Sequence, residues 1–275
     1  MVTAVQQVRR MRGGAQSQLM RCRDVVTGRE DYWVVKFKNN PQHVRVLANE
    51  LLATRLAERI GLPVPMTDSV EVSDWLVEHS PELRQHFAGR DERCSSGLQF
   101  GARYVVDPAE GQVYDYIPEA LFDRVRNLND FVGMLCLDKW TCNANGRQAV
   151  YWKKGRERKY TVTFVDQGYC FNAGEWNFPD APLRGVYPRN AVYAGVRGWE
   201  SFEPWLSRIA GLEAKELWKI AEAVPPEWYE YDLPALEKLV EELYRRRTLV
   251  PQLIEDFRVS GREPFPGWTA KAAVN

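Results

Sequence analysis

The chain has 275 residues, 45% of them apolar, and its 37 acidic and 37 basic side chains leave a formal net charge of zero. That is ample apolar material for the core of one large domain or two, and the balanced charge excludes a global field drawing the protein to nucleic acid or anionic lipid. The start lacks the apolar stretch of a signal peptide and no run approaches the ~20 apolar residues that span a bilayer, while five cysteines without a CxxC pair suit free thiols, so a cytoplasmic protein without membrane contact is expected.

The predicted elements begin with a Gly-containing turn, Arg12 to Ser17, leading into a strand at 19–23. After a second turn at Thr27-Gly28, a strand from Tyr32 to Phe37 carries Lys36 within a run of strand formers. Leu47, Leu51, Leu52, Leu56 and Ile60 then recur at helical spacing, and Gly61-Leu62-Pro63-Val64-Pro65 stops this helix, which contains Glu50. Residues 70–106 mix strands with a polar loop near Cys94 to Gly97, and Pro108 to Gly111 reads as a boundary. The run from Asn129 to Lys139 is apolar on most sides and predicts a buried helix feeding directly into Asp138. Gln148–Trp152 and Tyr160–Val165, joined by a charged turn, predict a hairpin. A Gly-, Pro- and aromatic-rich stretch follows to about Trp199. Helices are expected near 202–209, 213–223 and 234–257, and a loose tail over 261–275.

Chemistry concentrates in Asp138, Asn143 and Asn145, followed after the hairpin by Asp166-Gln167-Gly168. Phosphoryl transfer needs one carboxylate to orient the attacking hydroxyl, plus an Asn and a second Asp to hold magnesium against nucleotide phosphates. In that order Asp138 is the base and Asn143 and Asp166 hold the metal, with Asn145 an alternative or additional ligand. Lys36 and Glu50, 14 positions apart, match the Lys–Glu ion pair that clamps phosphates. The Gly13-Gly14 turn lies just before the Lys strand, where backbone N–H groups could cover phosphates that a side chain would block. Singly, each residue has an ordinary alternative: a strand edge for Lys36, a solvated helix face for Glu50, a polar turn for Asp138 or Asp166. Their joint order predicts a kinase-like site. His43, His79 and His86 lack metal-ligand spacing and read as surface residues, and Arg245-Arg246-Arg247 reads as a solvated helix face.

These residues resemble the HipA-like kinases, bacterial relatives of the protein kinase and phosphoinositide kinase folds. The matching segments are Gly14-Ala15-Gln16, Val34-Val35-Lys36, Asn49-Glu50 with the helix ending at Gly61 to Pro65, Asp138 through Asn143, and the strand end at Asp166. The resemblance implies an α+β, two-lobed protein kinase-like fold. A small β-rich lobe with one main helix would span residues 1–107, and a larger, mostly helical lobe residues 108–260. It implies ATP between the lobes, with Lys36 on the phosphates and magnesium at Asn143 and Asp166; with the residue reading, the expected nucleotide contacts are Gly13, Gly14, Gln16, Ser17, Lys36 and Glu50, and Asn145 stays an alternative or additional metal ligand. The acceptor would be a Ser or Thr hydroxyl of a protein substrate, with Asp138 as catalytic base.

Gln18 stands where family members often carry Lys, and Trp140 where they often carry His. Twelve residues precede Gly13, whereas the HipA toxins have an extra subdomain there, so a stand-alone kinase core is expected. Ser17 follows the glycine, whereas the family's autophosphorylated serine precedes it. No Ser or Thr occurs between Thr163 and Ser201, so Tyr169, Tyr187 and Tyr193 supply the only hydroxyls in the segment after Asp166. Two alternatives stand beside the protein kinase: a lipid or small-molecule kinase, with no basic amphipathic segment to support it, and a pseudokinase-type regulatory module, kept open by Trp140 and Gln18.

Overall fold

The structure is a computed structural model and describes residues 1–269. Its first part is built from short strands: β1 Val2–Arg10, β2 Gln18–Asp24, β3 Glu30–Lys36 and, after helix α1 Arg45–Arg59, β4 Thr67–Val72. Helix α2 Asp74–His79, a small hairpin of β5 Arg84–Phe87 and β6 Arg90–Arg93, and strand β7 Gly97–Arg103 follow. Five strands close a barrel in the order β1-β2-β3-β7-β4. Parallel pairing of Val2 with Val70 makes the closure, which leaves this sheet no free edge. Val2, Ala4, Met20, Cys22, Trp33, Val35, Phe37, Val70 and Val72 fill the interior as one apolar cluster. Because β-branched and aromatic residues alternate with polar ones, each strand presents one side inward.

Helix α1 packs differently from its place in the chain. Leu47, Leu51, Leu52 and Leu56 join a second, larger core with the segments after residue 110. That core holds α3 Asp130–Trp140, in which ten of eleven residues are buried, as its apolar composition on all sides requires. Strands β8 Gly111–Tyr114, β9 Gln148–Lys154 and β10 Thr161–Val165 form an antiparallel sheet in the order β10-β9-β8. Pairing of Val165 with Gln148 brings the start of β9 beside Asp166. Helices α4 Trp205–Ala210, α5 Ala214–Ala221, α6 Leu233–Arg246 and α7 Val250–Arg258 complete the core.

Several expectations are corrected. β1, α2 and β8 were not anticipated. The helix expected over 234–257 is two helices, α6 and α7, and Pro251 lies in the first turn of α7, where its missing N–H costs nothing. The segment expected to be loose from 261 docks as far as it is described: Phe265 is buried, Trp268 packs against Trp199 and Phe202, and Thr269 N donates to Arg197 O at 3.0 Å. Residues 270–275 lie outside the described residues. Of the three arginines read as a solvated face, Arg246 is buried. It donates to Trp140 O and Lys139 O and to both oxygens of Asp180, tying α6 to the end of α3. All five cysteines are free and buried. Among the described residues no helix is long and apolar enough to cross a membrane.

Candidate functional site

Three elements deliver one charged trio. Lys36 ends β3, Glu50 projects from α1 and Asp166 follows β10; the Lys36 ammonium is ion-paired with Glu50 and lies 2.6 Å from Asp166 Oδ1. Lys36 and Glu50 are buried. Burial pulls the Lys36 pKa down, but the two carboxylates outweigh it and hold the ammonium above the ordinary lysine range. Burial, with Asp166 beside it, pushes the Glu50 carboxyl up against the pull of Lys36. Lys36 holds Asp166 below the usual carboxylate range despite burial. One cation thus serves two carboxylates, and the surplus negative charge suits a further cation at Asp166.

The turn after Asp166 is shaped by α1. Glu50 accepts the N–H groups of Gln167 and Gly168 at 3.0 and 2.9 Å. A Cβ on Gly168 would stand 2.6 Å from Val46 Cγ1 and 3.2 Å from Glu50 Oε1, so glycine is required for the close approach. Asp166 itself has φ 64, and Phe171, Asn172 and Ala173 are consecutive left-handed residues. Such backbone costs of order ~1 kcal/mol per residue and persists only where the surroundings over-determine it. Asn49 supplies part of that hold: its amide donates to Gly168 O and Ala173 O, both at 2.8 Å, and accepts from Trp176 Nε1 at 2.8 Å.

Asp138 is buried at the end of α3, where Arg147 engages both of its oxygens, with Nε 2.9 Å from Oδ2. Arg147 continues to Val165 O at 3.0 Å and to the Gln167 side chain. Asn143 is also buried; its Nδ2 donates to Asp138 Oδ1 at 2.9 Å and its Oδ1 accepts from Asn145 N at 3.1 Å. Neither Asp138 nor Asn143 lines the cleft, whereas Asn145, Arg147 and Gln148 do. Gln148 Nε2 donates to Asp166 Oδ2 at 2.6 Å.

The cleft has a volume of about 1060 Å³. Val34, Pro65, Phe100, Ala102 and Ala149 give it an apolar wall, and Gly13, Gly14 and Ser17 line it from the first loop. Gly13 has φ +120, a conformation side chains rarely adopt. Gln16 turns away from the cleft and makes two hydrogen bonds of 2.7 Å to the backbone of His86, so it anchors the loop. Gln18 is buried in β2 and accepts from Gln7 Nε2 at 3.3 Å. Beside Gly14, Gln42 Nε2 donates to the Tyr169 hydroxyl at 3.0 Å. The three histidines are exposed.

Among the described residues no group of three or more His, Cys, Asp and Glu gathers into a metal cage. Magnesium needs none, because it binds through one or two carboxylates plus substrate phosphates and waters. Asp166 and Asn145 fit that donor set because both line the cleft; Asn145 Oδ1 accepts from Gly146 N at 2.9 Å and keeps a second lone pair, whereas the Asn143 amide, engaged with Asp138 and Asn145, lies behind the cleft wall. Sequence reasoning missed Asn49 as a clamp and Arg147 and Gln148 as site residues. The polar run Asn143 to Gln148 at the mouth of the hairpin was the available signal.

No family model matches the chain, and no curated protein matches it. Among solved structures it is similar to the Helicobacter pylori proinflammatory kinase CtkA, with a TM-score of 0.52 and 12% identity over 89% of this chain and 95% of that one. It is also similar to the Golgi casein kinase, with a TM-score of 0.52 and 14% identity over 94% of this chain and 75% of that one. The likeness establishes a kinase-like fold of mixed α and β structure. The HipA resemblance rests on the residues alone.

Proposed function

We propose that the protein is an ATP- and magnesium-dependent phosphotransferase that binds its nucleotide between a lobe of residues 1–107 and a lobe of residues 108–260. The observation that carries this reading is the convergence of Lys36, Glu50 and Asp166 from three elements on one cleft. Both fold neighbours are kinases by name, which supports it. Lys36 would hold the phosphates, Glu50 would keep Lys36 in place, and the Gly13-Gly14 backbone would cover them. Asp166 and Asn145 would hold magnesium, which supplies positive charge against the phosphate oxygens. Asp138 acts through Arg147 on the Asp166 turn and is a positioning residue. Such an assignment is compatible with transfer because phosphoryl transfer depends mainly on positioning and electrostatic stabilisation. The acceptor in this reading is a protein Ser or Thr, following the HipA resemblance.

A nucleotide-binding regulatory module is the second reading, favoured by the burial of Asp138, which leaves the amides of Asn145 and Gln148 on the cleft wall. Incubation with labelled ATP and magnesium, followed by intact mass and a lysate phosphoproteome, separates the two. Label on the protein itself or on a lysate protein, lost in Lys36→Met, supports the phosphotransferase. Magnesium-dependent ATP binding without any transfer supports the module.

A further inference from the structure

Arg189 differs from the other cations of the cleft. Lys36 serves Glu50 and Asp166, Arg147 serves Asp138, and Arg103 Nη2 lies 2.9 Å from Asp31 Oδ1. Arg9 and Arg12 are exposed beside the glycine loop. Arg189 is half-buried and lines the cleft, yet among the described residues it has no carboxylate within ion-pair distance. Its guanidinium is nevertheless fixed. Nη1 donates to Ile117 O and Nη2 to the Tyr187 hydroxyl, each at 2.6 Å. The central carbon stands 4.6, 4.7 and 5.3 Å from the ring centres of Tyr116, Phe122 and Tyr187. Asp115, exposed on the same wall, makes no ion pair with it.

A guanidinium has five N–H donors in a planar fork, and the two contacts above leave several of them unspent on a preorganised cation. Such a group matches a carboxylate in two-pronged geometry. Its position is set beside the sheet. Asp166 leaves the end of β10, Gln148 begins β9 beside it, β8 pairs with the other side of β9, and the segment that follows β8 carries Tyr116 and Ile117, where Arg189 is seated on the same cleft as Asp166. We infer that Arg189 recognises a carboxylate side chain of an acidic peptide acceptor. This inference rests on the phosphotransferase reading for the word acceptor, but the ligand preference itself is readable by binding alone.

The probes are a serine peptide with glutamates flanking the serine at two to four positions and the same peptide with glutamines, titrated into the ATP-loaded protein at low salt. The parent should bind the glutamate peptide about tenfold or more tightly than the glutamine peptide. Arg189→Met should abolish that preference and Arg189→Lys should reduce it, with ATP affinity unchanged in both. Equal binding of the two peptides by the parent overturns the proposal without any variant. A preference retained in Arg189→Met overturns it too, and so does a parallel loss of ATP affinity, which would assign Arg189 to the nucleotide. Free glutamate that competes as well as the peptide overturns the peptide assignment in favour of a small carboxylate acceptor; failure to compete supports the peptide. Absence of phosphate transfer by the parent would count against the phosphotransferase reading, while the peptide preference would still be decided by binding.

Discussion

Asp138 and Arg147 close on each other in the protein interior, each with a side chain only 1% exposed. Through Arg147 the pair reaches Val165 O and Gln167, so it joins the end of α3 to the turn that carries Asp166. Removing one partner of a buried pair strands the other charge and costs about 3–5 kcal/mol. Asp138→Ala should therefore lower the unfolding free energy by that amount in denaturant titration. A base standing free in the cleft would behave differently: its loss would cut transfer while leaving stability within about 0.5 kcal/mol, as for substitutions away from such networks. Stability unchanged in Asp138→Ala would contradict the positioning role.

Gly168→Ala should disturb the site while leaving the barrel intact, because the new methyl group would meet Val46 and Glu50. Either α1 shifts or the Asp166 turn does, and both loosen the Lys36 contacts. The expected result is at least tenfold weaker binding of ATP in the presence of magnesium, about 1.4 kcal/mol or more. Calorimetry returning the parental affinity would show that the close approach is not needed for binding.

Much of this site was legible in the sequence because its signals are local. Lys36 in a strand-forming run, Glu50 on a leucine-patterned helix, and the Asp166 strand end each sit in a short segment whose periodicity identifies the element. The direction of a side chain at an element boundary is not local. Asp138 lies where α3 ends, and whether its carboxylate faces the cleft depends on Arg147, nine residues on, turning inward. Arg246 reads as solvated for the same reason: its acceptors, Lys139 O, Trp140 O and Asp180, lie far away in sequence. β1 is not legible because its outer half, Gln6 to Arg10, is polar apart from Val8, and its pairing with β2 and β4 makes it a strand.

Asn49→Ala should release the left-handed segment after Gly168. Three hydrogen bonds are lost, two of them buried, and the Gly168 carbonyl, whose bond is one of the buried pair, would go unsatisfied at a cost of about 1–3 kcal/mol. Amide hydrogen exchange of residues 168–176 should quicken, with the barrel strands unaffected. Unchanged protection there would mean that contacts other than Asn49 hold the strain.

Lys139 gives a pH signature. Burial pushes its pKa down to about 8 against the pull of Asp138, while its ammonium donates to Pro182 O and Arg184 O at 2.7 and 2.9 Å. The cost of burying that charge is fully present below about pH 8, and between there and about pH 10.5 the unfolded chain binds more protons than the folded one, so stability rises with pH. A neutral amine still has donors for both carbonyls. The stability of the parent relative to Lys139→Met should therefore increase between about pH 7.5 and about pH 10. A flat or falling difference in denaturant titrations would contradict the buried, easily neutralised lysine.

The central claim is that Lys36, Glu50 and Asp166 form a site for a magnesium-bound nucleotide, and calorimetric titration of ATP with and without magnesium tests it most directly. In the parent, magnesium should strengthen ATP binding. In Asp166→Asn that strengthening should vanish, while the magnesium-free affinity, which depends on Lys36 and the glycine loop, stays within about threefold of the parent. Equal enhancement by magnesium in parent and variant would remove Asp166 from the metal site, and failure of the parent to bind ATP under either condition would contradict the account as a whole.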